Sequence, residues 1–90
     1  MKIKVNLLGT EVRLKQEISL DPPSPALKGV LRALKDQLGG ALDRFLKEDL
    51  SAREGCTVLV NGRNLGSLDP EKTTIREGDE VTFTVLVAGG

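Results

Sequence analysis

The chain has no histidine, tryptophan or tyrosine, and a single cysteine, Cys56. These absences remove most of the vocabulary of catalysis. Without His, the usual general base and the usual partner of a nucleophilic thiol are missing. A zinc site needs several Cys, His or carboxylate ligands in closed geometry, and Cys56 stands alone, so no structural metal is expected. One cysteine also excludes an internal disulfide. Only Phe45 and Phe83 are aromatic, both at core phase, which leaves no platform for stacking bases. Thirteen basic residues balance thirteen acidic ones, so no net field draws the chain to nucleic acid or an anionic membrane. There is no apolar run of about 18 residues and no secretory signal pattern. A reducing, cytoplasmic setting is therefore expected, with neither nucleic acid nor membrane as partner.

What is present fits one domain of ninety residues. Ile3, Val5 and Leu7 alternate with Lys2, Lys4 and Asn6, the pattern of a half-buried strand. Gly9-Thr10 supplies a turn. Val12, Leu14, Ile18 and Leu20 hold the same period, interrupted at Gln16, so the two segments predict an antiparallel hairpin with a bulge or a fraying edge at Gln16. The prolines of Asp21-Pro22-Pro23-Ser24-Pro25 end the second strand, and Ser24 is placed to cap a helix that Pro25 begins. Leu27, Val30, Leu31, Leu34 and Leu38 form one helical stripe, with Lys28, Arg32, Lys35 and Asp36 mostly outside it. Gly39-Gly40 stops that helix, and Leu42, Phe45, Leu46 and Leu50 suggest a second, shorter helical segment with Asp43, Lys47, Glu48 and Asp49 facing water.

Thr57 to Val60 reads as a short strand closed by the turn dipeptide Asn61-Gly62, with Arg63-Asn64-Leu65 returning as an edge strand. A loop follows to Thr74. Gly78, in a turn expected to need positive φ, launches a final strand from Val81 in which Val81, Phe83, Val85 and Val87 share one face. These elements predict an α+β fold: a mixed sheet of four to five strands, with one main helix and a short second helical segment on one face. The most economical closure puts the last strand between the first and third, parallel to the first. That is the β-grasp, or ubiquitin-like, arrangement. Residues 1–87 would form the domain and residues 88–90 a flexible tail.

Within the body, chemistry is hard to find. Cys56 lies in phase with Val58 and Val60 and reads as a buried structural thiol. Gly62 and Gly66 lack the spacing and the following Lys of a phosphate loop. No pair of carboxylates is arranged for acid–base work. The ending Ala88-Gly89-Gly90 is different, because it buries nothing and closes no turn. A Gly-Gly terminus arises by chance roughly once in two hundred chains at average glycine frequency.

Val60-Asn61-Gly62, then Glu77-Gly78-Asp79-Glu80-Val81-Thr82-Phe83, then Val87-Ala88-Gly89-Gly90 resemble successive signatures of the MoaD/ThiS sulfur carriers. The resemblance covers the whole chain in element order and is most specific over its last third. It is nearer to the molybdopterin synthase small subunit than to the shorter thiamine-pathway carrier. Where the family's usual tail has two prolines before Val-Ala-Gly-Gly, this chain has Val85-Leu86.

The resemblance implies a non-catalytic carrier that binds no cofactor of its own. A ubiquitin-activating-enzyme-like adenylyltransferase would spend ATP to join the Gly90 carboxylate to AMP. Sulfur from a cysteine desulfurase or rhodanese-like donor would then give a Gly90 thiocarboxylate, and a large synthase subunit could use it. Glycine at positions 89 and 90, behind Ala88, lets the tail thread a narrow tunnel, and three residues reach about 10 Å. The body is expected to dock through its open sheet face, with Leu86, Leu59 and Leu8 as a small apolar patch. Two other readings share the visible features: a protein modifier joined through Gly90 to lysines, and a β-grasp interaction module with an incidental tail.

Overall fold

The computed structural model describes residues 1–9, 13–22 and 24–85. The expected turn residue Thr10, strand residue Val12, Pro23, and everything from Leu86 to Gly90 lie outside them. The elements run β1 (Lys2–Leu8), β2 (Arg13–Ser19), α1 (Leu27–Leu38), α2 (Gly40–Asp43), β3 (Cys56–Val60), β4 (Arg63–Asn64), a 3₁₀ turn at Leu65–Ser67, and β5 (Glu80–Val85). The sheet order is β2-β1-β5-β3-β4. β5 is parallel to β1 and antiparallel to β3, so the last strand occupies the centre, as its apolar content predicts. The topology is the β-grasp.

One core holds the layers together. The inward-phase residues Ile3, Val5, Leu7, Ile18, Val58, Val60, Val81 and Phe83 join Leu27, Val30, Leu31 and Leu34 of α1 in a single buried cluster. Leu38, the last member of the predicted helical stripe, is only partly buried against it. Phe45 and Phe83 meet with ring centroids 6.0 Å apart at a 49° tilt. Leu42 of α2, with Leu46 and Leu50 of the non-helical segment that follows it, extends this core. The polar residues Asp43, Lys47, Glu48 and Asp49 face solvent, as their spacing predicts.

The ends of α1 are built by two different means. At the C-terminus Gly39 takes φ 54° and returns its N–H to the Lys35 carbonyl, so the helix stops where the glycine pair predicts. At the N-terminus Ser24 does not cap. Ala26 occupies the capping position with no side-chain bond, and Ser24 Oγ instead accepts from the Ala26 N–H at 3.1 Å. The free N–H groups of the first turn go to a distant loop: Leu27 donates to the Thr73 carbonyl at 2.7 Å and Lys28 to the Pro70 carbonyl at 2.9 Å. A backbone bridge between Ala26 and Thr74 completes the junction. Pro25 precedes the helix and offers its carbonyl to Ile75 N–H at 2.8 Å. A tertiary contact has replaced the local cap.

β2 keeps an uninterrupted register with β1 from Lys2↔Ser19 to Leu8↔Arg13, so there is no bulge at Gln16. Gln16 lies opposite Val5 on the helix side but is exposed, because the sheet ends there. The β3–β4 turn has positive φ at both Asn61 (51°) and Gly62 (84°), the type I′ geometry that Asn-Gly favours. β4 is only two residues long, and Leu65 enters the 3₁₀ turn instead of extending it. There Asn64 Oδ1 accepts from Gly66 N–H at 2.8 Å.

The turn before β5 is latched to the start of β1. Gly78, at φ 85°, donates to the Lys2 carbonyl at 2.8 Å, and Lys4 N–H donates to the Asp79 carbonyl at 2.9 Å. Lys2 N–H is also shared between the two Glu77 carboxylate oxygens, each at 3.1 Å. These bonds start β5 alongside β1 and set its parallel register.

Candidate functional site: the open sheet face and the end of β5

Alternation along the strands puts Lys4, Asn6 and Leu8 of β1, Glu80, Thr82 and Thr84 of β5, and Thr57 and Leu59 of β3 on the face away from α1. Because β1 and β5 are parallel, Leu8 lies beside Thr84, at the end from which the chain continues toward Gly90. Leu59 pairs with Thr82, one row earlier and on the other flank of β5.

Leu8 and Leu59 of the expected docking patch are half-buried on the expected face, with threonines between them. Leu86, which would join them, lies outside the described residues, as do Ala88, Gly89 and Gly90. Within the described residues the face is a mixed surface. Lys4, Glu17 and Glu80 make its far end charged, while Leu8, Thr57, Thr84 and Arg13 line the end near Val85.

Asn6 is a feature of this face that the strand pattern did not single out. It is buried to 9% exposure, and its Nδ2 donates to Glu80 Oε2 at 2.9 Å and to Thr82 Oγ1 at 3.0 Å. One amide thereby fixes two successive outward side chains of β5, and does so without an unpaired polar group. The only sequence signal was an asparagine in the middle of an otherwise strand-forming run.

Cys56 opens β3 opposite Val85. It is half-buried, less enclosed than its phase with Val58 and Val60 suggests, because it sits at the strand's first position. Its thiol donates to the Arg44 carbonyl at 3.4 Å, which gives it a structural partner. Among the described residues no group of three Cys, Asp or Glu side chains is placed to hold a metal ion. Among the described residues, no helix is long and apolar enough to cross a membrane.

A model of the ThiS family matches residues 5–90. The chain belongs to the ThiS family, whose members are small ubiquitin-like carriers that are not themselves catalysts. It is 30% identical to a candidate sulfur carrier protein of Archaeoglobus fulgidus over 74 residues, covering 82% of this chain and 84% of that one. It is 31% identical to ubiquitin-related modifier 1 of Schizosaccharomyces pombe, with both chains fully covered. Solved structures of the same fold include SAMP1 of Haloferax volcanii, with TM-score 0.67, 21% identity and full coverage of both chains. Another is in the complex of subunits 1 and 2 of the molybdopterin-converting factor from Helicobacter pylori, with TM-score 0.62, 22% identity and full coverage of both chains.

Proposed function

We propose that this protein carries sulfur on its C-terminus in cofactor biosynthesis, in the manner of a molybdopterin synthase small subunit. The observation that carries the reading is the position of β5. The chain's last strand is the central strand of the sheet, and the five residues after it, 86–90, end in Ala-Gly-Gly. Four residues, 86–89, separate the end of this central strand from Gly90 in the sequence.

A carboxylate is a poor electrophile. A partner adenylyltransferase attaches AMP from ATP to the Gly90 carboxylate, forming a mixed anhydride and releasing pyrophosphate. The terminal sulfur of the donor's cysteine persulfide attacks the activated carbonyl and AMP departs with the bonding pair; a second thiol then attacks the donor-side sulfur of the resulting acyl disulfide, forming a disulfide with it and releasing the terminus as a thiocarboxylate. Residues 89 and 90 have no Cβ, so the end of the chain fits a channel that other residues would block. The body docks by the face bearing Leu8 and Leu59, and the partner bears the ordering cost of the tail.

The full-length similarity to a ubiquitin-related modifier favours a second reading, in which the same adenylate leads to an isopeptide bond with lysine. Intact mass after incubation with ATP, the adenylating enzyme and a sulfur source tests the first reading. The expected product has one terminal oxygen replaced by sulfur, located at Gly90 by fragmentation. Gly90 recovered in branched peptides on other proteins, with no thiocarboxylate, would establish the modifier instead. Full activity after deletion of Gly90 would sink both.

A further inference from the structure

The free edge of β2 is the longest unpaired strand edge among the described residues. β2 is the terminal strand of the sheet, seven residues long, with no proline and no bulge to blunt it. Its outward hydrogen-bonding groups can be identified. Leu20 N–H donates to the Met1 carbonyl at 2.7 Å, and the Met1 amino group donates to the Leu20 carbonyl at 2.9 Å. Met1 and Leu20 are therefore a bonded pair. Antiparallel alternation makes Ile3–Ile18, Val5–Gln16 and Leu7–Leu14 bonded pairs as well. The backbone groups of Arg13, Lys15, Glu17 and Ser19 consequently face away from the sheet.

The geometry points to a second copy of this chain as the occupant of that edge, paired antiparallel through β2 with Gln16 on the two-fold axis. Only odd-numbered residues offer outward backbone bonds, so a symmetric pairing centres on a whole residue, and the strands overlap most when that residue is 15, 16 or 17. Centring on Lys15 or Glu17 sets two like charges directly opposite each other, which is unfavourable. Centring on Gln16 sets Lys15 opposite the partner's Glu17 and Glu17 opposite the partner's Lys15, both in bonded pairs. Arg13 then faces Ser19 of the partner subunit.

On the helix side, the half-buried Leu14 meets Ile18 of the partner subunit, and the two Gln16 amides face each other. Gln16 breaks the apolar pattern and is exposed in the monomer, and in this arrangement it has a partner. Charges of both signs at positions 15 and 17 discourage unlike strands yet match their own copy. The contact is one strand wide, at the small end of protein interfaces, so association on the order of 100 µM is expected.

Sedimentation of the full chain across a concentration series, with circular dichroism to verify folding, tests this arrangement. The unmodified protein is expected to dimerise. Lys15→Glu and Glu17→Lys should each weaken self-association by about tenfold or more, since each turns two attractive pairs into repulsive ones. The decisive arm mixes the two single variants. In the mixed pair Glu at 15 faces Lys at 17 and Glu17 faces Lys15, so association should return to roughly the unmodified strength.

In a Cys56→Ser background, Gln16→Cys should form an intermolecular disulfide on mild oxidation, because residue 16 meets itself across the axis. A monomer at all concentrations overturns the proposal. So does a dimer indifferent to both charge reversals, or single variants that remain apart on mixing. Any of the last two outcomes would assign the contact to a different face or occupant.

Discussion

β5 and β2 have the same alternating period but opposite fates. In β5 the inward residues Val81 and Phe83 are completely buried, and Val85 at its end is half-buried. In β2 the inward residues are half-buried Leu14, exposed Gln16 and buried Ile18. Period determines which way a side chain points, whereas place in the sheet determines what it meets. β5 has a neighbour on each side and α1 above it. Among the described residues β2 has one neighbouring strand, and Gln16 is exposed. The strand next to the proposed carrier terminus is thus firmly held, whereas β2, the longer of the two edge strands, is weakly covered and has an edge to offer.

Truncation at matched inward positions should break the comparison most visibly. Phe83→Ala removes a ring at 0% exposure that also packs against Phe45, and should cost about 3–5 kcal/mol in chemical denaturation. Leu14→Ala, at a half-buried edge position, should cost about 1 kcal/mol or less. Equal losses would mean that the β2 edge is as well packed as the centre, contrary to its exposure pattern.

Much of this contrast was legible in the sequence. The two-residue period identified the strands, the Leu27–Leu38 stripe identified α1, and Gly39, Asn61-Gly62 and Gly78 each take the backbone geometry their residue type favours. Such signals are local, since they depend on one element's own backbone. Ser24 misled because the helix N-terminus is satisfied from residues 70–74, some fifty positions away in sequence, and no local pattern encodes that distance. Leu50 is a similar case: a bulky residue at φ 69° held in a tight loop by its N–H bond to the Lys47 carbonyl and by burial. At the candidate site, the face carrying Leu8 and Leu59 followed from alternation. The Asn6 clamp did not, because its partners Glu80 and Thr82 come from a strand at the other end of the chain.

That clamp allows a finer comparison of the sheet's two faces. Asn6→Ala removes both hydrogen bonds but leaves Glu80 and Thr82 able to reach water, so the expected loss is about 1 kcal/mol, well below that of Phe83→Ala. A double-mutant cycle with Thr82→Val should show coupling of about 0.5 kcal/mol or more, since the two side chains share a bond. Additive losses would mean that the amide orders neither residue. If the outward side chains of β5 contribute to docking, partner affinity should fall further than stability alone explains.

The smallest effect is expected far from both strands, where a carboxylate is held only by its neighbour. Asp49 Oδ1 accepts from the Ser51 hydroxyl at 2.6 Å and from the Ser51 N–H at 3.0 Å. The hydroxyl bond foremost, then the backbone bond, holds the Asp49 carboxyl below its ordinary value of 3.8, with Lys47 adding a lesser attraction. The sign follows from the charged form being favoured in the fold. The stabilisation is present above pH 3.8 and is lost as pH falls below that value through the lower folded-state pKa. Ser51→Ala removes the larger cause and keeps the backbone bond, so the Asp49 titration followed by NMR should move upward toward 3.8 without reaching it. The denaturation midpoint at pH 7 should barely change, because the carboxylate is fully exposed and solvent screens what it gains. An unchanged Asp49 titration would show that the hydroxyl contact does not persist in solution. The Lys47–Ser51 loop would then be ordered by its backbone bonds and by buried Leu50.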